Sequence, residues 1–191
     1  WSMTSVLPSA PALELVLRFL ARQYSWRVLG VDVGGSNTIL DLADGDTWQQ
    51  TVQTGLGIGD GCETILKLAG VSGVTRWLPF DIGDDEVRAY VAKRQASPWA
   101  IPATEQEAWL DQALAREALR SLGGLPWRAD LIVAGGGTLA HARSSGQTVL
   151  ALLDGLEPVG ISQLAVDSAL MLPALGAVAG LQPQAAGEVA I

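Results

Sequence analysis

The seven residues Asp32-Val33-Gly34-Gly35-Ser36-Asn37-Thr38 constrain this chain more than any other stretch. They close the apolar run Trp26-Arg27-Val28-Leu29-Gly30-Val31, and strand-like residues resume at Ile39 and continue to Leu42. A run of that kind reads as a buried strand, and the glycines read as a tight turn into a second strand that runs back along the first. Glycine at such a turn permits positive φ and a close approach by a ligand. Successive N–H groups in the turn face one concavity and can bind phosphate oxygens. Ser36, Asn37 and Thr38 add polar side chains on the same turn. Asp32, at the strand end, is placed to hold a hydrated Mg²⁺ or to orient a water. An ordinary β-hairpin needs nothing beyond Gly-Gly-Ser-Asn as turn chemistry, so both readings stand at this level.

The remaining pattern extends the same fold. Residues 9–24, with Ser9-Ala10-Pro11 ahead of Leu13, Val16, Leu17 and Leu20, read as a capped amphipathic helix within a leading segment, 1–25. Asp44-Gly45-Asp46 is a second turn, and residues 47–54 complete a three-stranded antiparallel meander. The glycine-dense stretch 55–61 reads as a flexible loop opening a helix that carries Ile65, Leu66 and Leu68 and closes at Gly70. A mainly helical insertion is expected over 71–124. It contains a helix from Asp84 with Val87, Tyr90 and Val91 on one face, and an extended connector marked by Ser97-Pro98 and Ile101-Pro102. A capping box, Thr104-Glu105-Gln106-Glu107, opens a further helix to about Leu122, which Gly123-Gly124 stops. Asp130-Leu131-Ile132-Val133-Ala134 is a buried strand ending in Gly135-Gly136-Gly137. A helix at 147–153, a strand at 161–166 and a helix at 173–179 follow. Three antiparallel strands followed by alternating strands and helices predict an α/β fold of the ribonuclease H-like type with a mixed sheet. One domain, 1–191, is expected.

Gly135, Gly136 and Gly137 exceed what a plain strand-to-helix turn requires, since each glycine costs backbone entropy on folding. Their place at the carboxyl end of a strand is where open α/β sheets bind ligands. Residues 55–61 are not a Walker loop, since no Gly-Lys-Ser/Thr follows them. His141 and Cys62 are the sole histidine and cysteine, so these residue types build no zinc-type cluster. His141 reads as a helix-start residue. Trp77, Trp99, Trp109 and Trp127 gather in and beside the expected insertion, either as core or as a partner surface.

Composition narrows the function classes. Twelve basic residues and a net charge of −8 leave no electrostatic footprint for nucleic acid or an anionic membrane surface. A bound phosphate would rely on backbone N–H groups and a cation. The most apolar stretch, 164–181, is broken by Asp167, Ser168 and Pro173, which opposes a membrane span. A lone cysteine fits a reducing, cytoplasmic setting. The chain begins at Trp1 rather than at a methionine, which we read as the mark of a fragment.

Residues 32–38 resemble the second phosphate motif of the actin/Hsp70/sugar-kinase superfamily, and Ala134-Gly135-Gly136-Gly137 resembles its adenosine motif. A narrower resemblance is to the C-terminal half of the MutL family associated with glutamate mutase, which is unrelated to the mismatch-repair protein of that name. Residues 31–38, Ser97-Pro98-Trp99-Ala100-Ile101-Pro102-Ala103-Thr104, residues 113–120, Gly135-Gly136-Gly137-Thr138-Leu139-Ala140-His141-Ala142, residues 152–160 and residues 172–177 carry it, in family order. The resemblance implies the second lobe of an actin/Hsp70-type ATPase fold, with ATP and Mg²⁺ as cofactors. Phosphates would lie on Gly34, Gly35, Ser36, Asn37 and Thr38, and adenosine near Gly135, Gly136 and Gly137. Asp32 would be the catalytic and metal-binding carboxylate. It further implies an accessory role, as chaperone or reactivating factor, toward subunits of an adenosylcobalamin-dependent mutase, with an N-terminal lobe of the same protein as a second partner. A small-molecule kinase and a non-hydrolysing interaction module are the alternatives on this fold. Ile39 stands where superfamily members often carry an acidic residue, which bears on hydrolysis.

Overall fold

The computed structural model describes residues 7–122 and 127–179. Strands β1 (Arg27–Val33), β2 (Asn37–Asp44) and β3 (Thr47–Thr54) form the expected antiparallel meander, and β4 (Leu131–Gly135) and β5 (Gln163–Val166) complete a five-stranded sheet. The order is β3-β2-β1-β4-β5, with β4 parallel to β1 and β5 parallel to β4. A leading antiparallel meander joined through its first strand to two parallel strands is the ribonuclease H-like arrangement, an α/β fold.

Strand alternation divides the sheet into two buried faces. Leu29, Val31, Val33, Leu40, Ile132 and Ala134 point to the larger core. There they meet α2 (Cys62–Thr75), α3 (Asp84–Ala96), α4 (Glu105–Ser121) and α6 (Ser145–Leu156). Every residue of α4 from Leu110 to Leu119 is buried, including Asp111, Gln112, Arg116 and Glu117. Val28, Ala43 and Val133 face the opposite way, against Leu13, Val16, Leu17 and Leu20 of α1 (Ser9–Tyr24). Gly30 lies under Leu17, whose Cδ1 fills the space a Cβ would take. The final helix, α7 (Leu172–Ala179), packs so closely on α1 that a Cβ on Gly176 would overlap the Ala12 carbonyl.

Several local expectations change. Pro8, not Ser9, is the N-cap of α1, and no side chain caps that end. Gly70 does not close α2; it takes φ 71° and ψ 166°, and the helix resumes beyond this kink to Thr75. A helical turn, α5 (Gly137–Ala140), begins on the last of the three glycines. Thr104 does cap α4, accepting a hydrogen bond from the Glu107 N–H at 3.2 Å. The Gly123-Gly124 stop lies outside the described residues. Trp77 and Trp127 pack against the larger core, while Trp99 is 82% exposed. Among the described residues, no helix is long and apolar enough to cross a membrane.

One buried charge opposes this packing. Asp41 on β2 faces α1, is 2% exposed, and neither carboxylate oxygen has a hydrogen-bond partner. Burial pushes its pKa up to about 6, opposed by the neighbouring Gln50 amide and reinforced by repulsion from Glu14 and Asp32. The folded chain therefore holds the Asp41 proton more tightly than the unfolded chain does. Ionisation costs stability as pH rises from about 4 through 6. Asp41→Asn should raise stability at pH 7 by about 1–2 kcal/mol and leave it nearly unchanged at pH 4. Thermal melts at the two pH values check this.

Candidate functional site

The turn after β1 is shaped by its neighbours. The Gly34 N–H donates to the Asn37 carbonyl at 2.9 Å, closing the hairpin, and Gly35 and Ser36 form its exposed tip. Gly34 and Gly35 are not among the residues at positive φ, contrary to the expectation for this turn. The steric demand comes from the glycine-dense loop, which is packed rather than free. Residues 56–59 are buried, and the loop is tied to the hairpin by Ile58 N–H to Gly34 O and Gly55 N–H to Ser36 O, both 2.9 Å. A Cβ on Gly57 would coincide with the Gly35 carbonyl and the Ser36 nitrogen. Gly136 approaches from β4 in the same manner. It sits at φ 80°, and a Cβ there would overlap the Val33 carbonyl. This is where the chain needs a residue without a side chain and with access to positive φ.

The polar side chains of the hairpin separate into used and unused groups. Thr38 is fully buried and its hydroxyl donates to Leu56 O at 2.5 Å. Ser36 Oγ donates to Asp60 Oδ2 at 2.9 Å. Asn37 is half-buried at the start of β2. Asp32 pairs across the sheet with Ile39 on one side and Gly135 on the other. Its half-buried carboxylate lies beside Gly34 and Gly135. Burial, and then the Asp167 charge, raise its pKa. Asp167 follows β5 and is itself engaged, accepting from the Met171 and Leu172 N–H groups at 2.9 Å each. Asp32 and Asp167 therefore flank Gly135 at the carboxyl edge of the sheet, and among the described residues no cationic side chain is paired with Asp32. A hydrated divalent cation suits that place, since Mg²⁺ keeps most of its waters and takes one or two carboxylates together with phosphate oxygens. Among the described residues there is no group of three or more His, Cys, Asp and Glu side chains arranged to hold a metal on their own.

Beyond the tip, on the other side of β1, opens a cavity of about 370 Å³. Gly35 lies at one end, with Thr138 and His141 of the turn after β4, Gln112 of α4, and the connector residues Trp99 and Ile101 around it. Gly34 and Gly137 also line it, whereas Asp32, Ser36, Asn37, Thr38, Gly135 and Gly136 do not. The sequence reading missed this cavity and the residue that builds it. Arg94 is 7% exposed and donates to Ile58 O of the glycine loop and to Ala100 O of the connector. Its Nε stands 3.3 Å from Asp111 Oδ1. Asp111 also accepts from the Tyr90 hydroxyl at 2.6 Å, and burial pushes its pKa up to about 6 despite Arg94. The signal was present: Arg94 continues the apolar stripe Val87-Tyr90-Val91 of α3 at helical spacing, and a charge in such a stripe calls for a buried partner.

A model of the MutL protein family matches residues 1–122. The chain belongs to the MutL family. That match covers the hairpin, the glycine loop, Arg94 and Gln112, and ends before the triple glycine. Comparison with curated proteins finds no match. Among solved structures, this MutL chain is similar to component A of (R)-2-hydroxyglutaryl-CoA dehydratase from Acidaminococcus fermentans. The identity is 13% and the TM-score 0.44, over 90% of this chain and 66% of that one. It is also similar to the activator of 2-hydroxyisocaproyl-CoA dehydratase from Clostridium difficile, with bound ADPNP, at 13% identity and TM-score 0.44 over 94% of this chain and 66% of that one. The chain thus spans just under two thirds of either protein's length.

Because Gly57 rests on the hairpin backbone, Gly57→Ala should destabilise the chain by about 1–3 kcal/mol, as overpacking does. Gly45→Ala, in an open turn at φ 57°, supplies the control for backbone strain without overlap. Chemical denaturation of the two variants should place Gly57→Ala clearly below Gly45→Ala.

Proposed function

We propose that this chain is one lobe of an ATP-binding accessory protein that acts as a chaperone or reactivating factor for an adenosylcobalamin-dependent mutase, such as glutamate mutase. Membership of the MutL family supports the accessory role. The observation that carries the nucleotide reading is one of adjacency. An exposed Gly35-Ser36 tip lies at the carboxyl edge of the sheet, with the Asp32 carboxylate beside Gly34 and Gly135 and a cavity of about 370 Å³ that Gly34 and Gly35 line. That volume falls within the range of small-molecule sites.

In this reading the N–H groups of Gly35 and Ser36 take phosphate oxygens, since the Gly34 N–H and the Thr38 hydroxyl are already committed within the protein. Asn37 offers its amide at the edge of the tip. Asp32 would be the residue that holds a hydrated Mg²⁺, which when bound would supply the positive charge that phosphate needs. The backbone of Gly135, Gly136 and Gly137 leads from that point toward the nucleoside in the cavity. A second lobe of the same protein would close over the ligand, and ATP would alter affinity for the mutase only as far as it binds the open and closed states differently. A cytoplasmic location follows from this partner.

A specific observation favours a second reading, a module that binds nucleotide without hydrolysing it. The residue paired with Asp32 across the hairpin is Ile39, 6% exposed and without any group to orient a water. Phosphate release by the full-length protein, measured with and without the mutase, separates the readings. Turnover stimulated by the mutase supports the reactivating factor, and nucleotide binding without release supports the module. If turnover is found, Asp32→Ala should lower its Mg²⁺-dependent rate at least about tenfold while ATP still binds. An unchanged rate would remove Asp32 from the site.

A further inference from the structure

The described residues contain six buried polar side-chain atoms with no hydrogen-bond partner, and three of them belong to side chains lining the one cavity beside the hairpin: Arg94 Nε, Gln112 Oε1 and Gln147 Oε1. Native interiors keep few such atoms, so a cluster asks for an explanation such as an absent ligand. Arg94 is accounted for by the Asp111 carboxylate 3.3 Å away. The two glutamines are acceptors with no donor.

Gln112 is the more informative. It is 4% exposed, and its Nε2 donates to the Thr138 carbonyl at 2.7 Å. Turning the amide over would set Oε1 against that carbonyl oxygen, so the bond fixes which end is which. The free end is therefore an acceptor, held in place by α4 on one side and by the turn after β4 on the other. Among the described residues no comparable bond orients the Gln147 amide.

We infer that Gln112 reads an amino group on the heterocycle of the ligand in this cavity and so sets base preference. The inference rests on the nucleotide reading above and goes beyond it by naming the chemical group that is recognised. A base carrying an exocyclic amine supplies the N–H that Gln112 Oε1 lacks. A base without one leaves the acceptor as it is in the unliganded protein, buried and unpaired, and gains nothing from this bond. Oε1 is sealed from solvent in the unliganded arrangement, so the side chains around it must part for the amine to reach it.

The test compares ATP with purine riboside triphosphate, which has the same sugar and phosphates but hydrogen in place of the amine. Equilibrium binding to the full-length protein should favour ATP by about five- to tenfold, the worth of one neutral hydrogen bond. Gln112→Met, close in volume and without an acceptor, should bind the two ligands equally; Gln112→Leu serves if the first variant melts well below the wild type. Equal binding by the wild-type protein would overturn the inference while leaving the nucleotide reading intact. An ATP preference that survives in the Met or Leu variant would do the same. Failure of the wild-type protein to bind either ligand would instead overturn the nucleotide reading itself.

Discussion

The site depends on backbone packed directly on backbone. The phosphate-type hairpin is held between two glycines that belong to other segments: Gly57 beneath its tip and Gly136 against Val33. Neither contact tolerates a β-carbon, and two 2.9 Å hydrogen bonds lock the glycine loop to the hairpin. The result is a turn whose shape is imposed from outside. Its own glycines lie at ordinary φ, and its strain-bearing residue is Gly136, at φ 80°. A rigid tip matters for binding because N–H groups fixed before the ligand arrives lose no further freedom on contact. Arg94 extends the same rigidity to the cavity by joining the glycine loop, the connector and α4 through one buried guanidinium.

The region around the hairpin is acidic. The chain has net charge −8, and the carboxylates of Asp32, Asp60 and Asp167 stand near the hairpin. Arg94 is spent on Asp111, and Arg143 on Glu105. A polyphosphate here would meet backbone dipoles and a cation rather than fixed positive side chains. Binding built this way should depend strongly on divalent metal. The connector, with Trp99 82% and Ile101 86% exposed, lines the same cavity from its exposed side.

Much of the fold was legible in the sequence because its elements obey local rules. Alternation and turn glycines located the meander and β4, and the Thr104 cap located α4. The steric reason for the glycines was not legible. Gly34 and Gly35 looked like positive-φ residues, whereas Gly57 and Gly136 carry the constraint, and only tertiary contact reveals which glycine has backbone against it. Gly70 ended a helix on propensity, yet the chain kinked and resumed because α2 packs against the core on both sides of the kink, through Ile65 and Leu66 before it and Val74 after it. The cavity wall went unseen because Arg94 on α3 and the adjacent Asp111 and Gln112 on α4 belong to different helices and acquire meaning only as a buried polar set. Which of the hairpin's donors remain free depends on Leu56 and Asp60, which lie outside the 32–38 motif, and on the Asn37 carbonyl within it.

The most direct test of the account is amide hydrogen exchange on the full-length protein, with and without a non-hydrolysable ATP analogue and Mg²⁺. Ligand should slow exchange together over residues 32–38, 56–61 and 135–141, the three segments that meet at the hairpin. Binding of the analogue with protection confined to other parts of the protein, and none over these three, would contradict it.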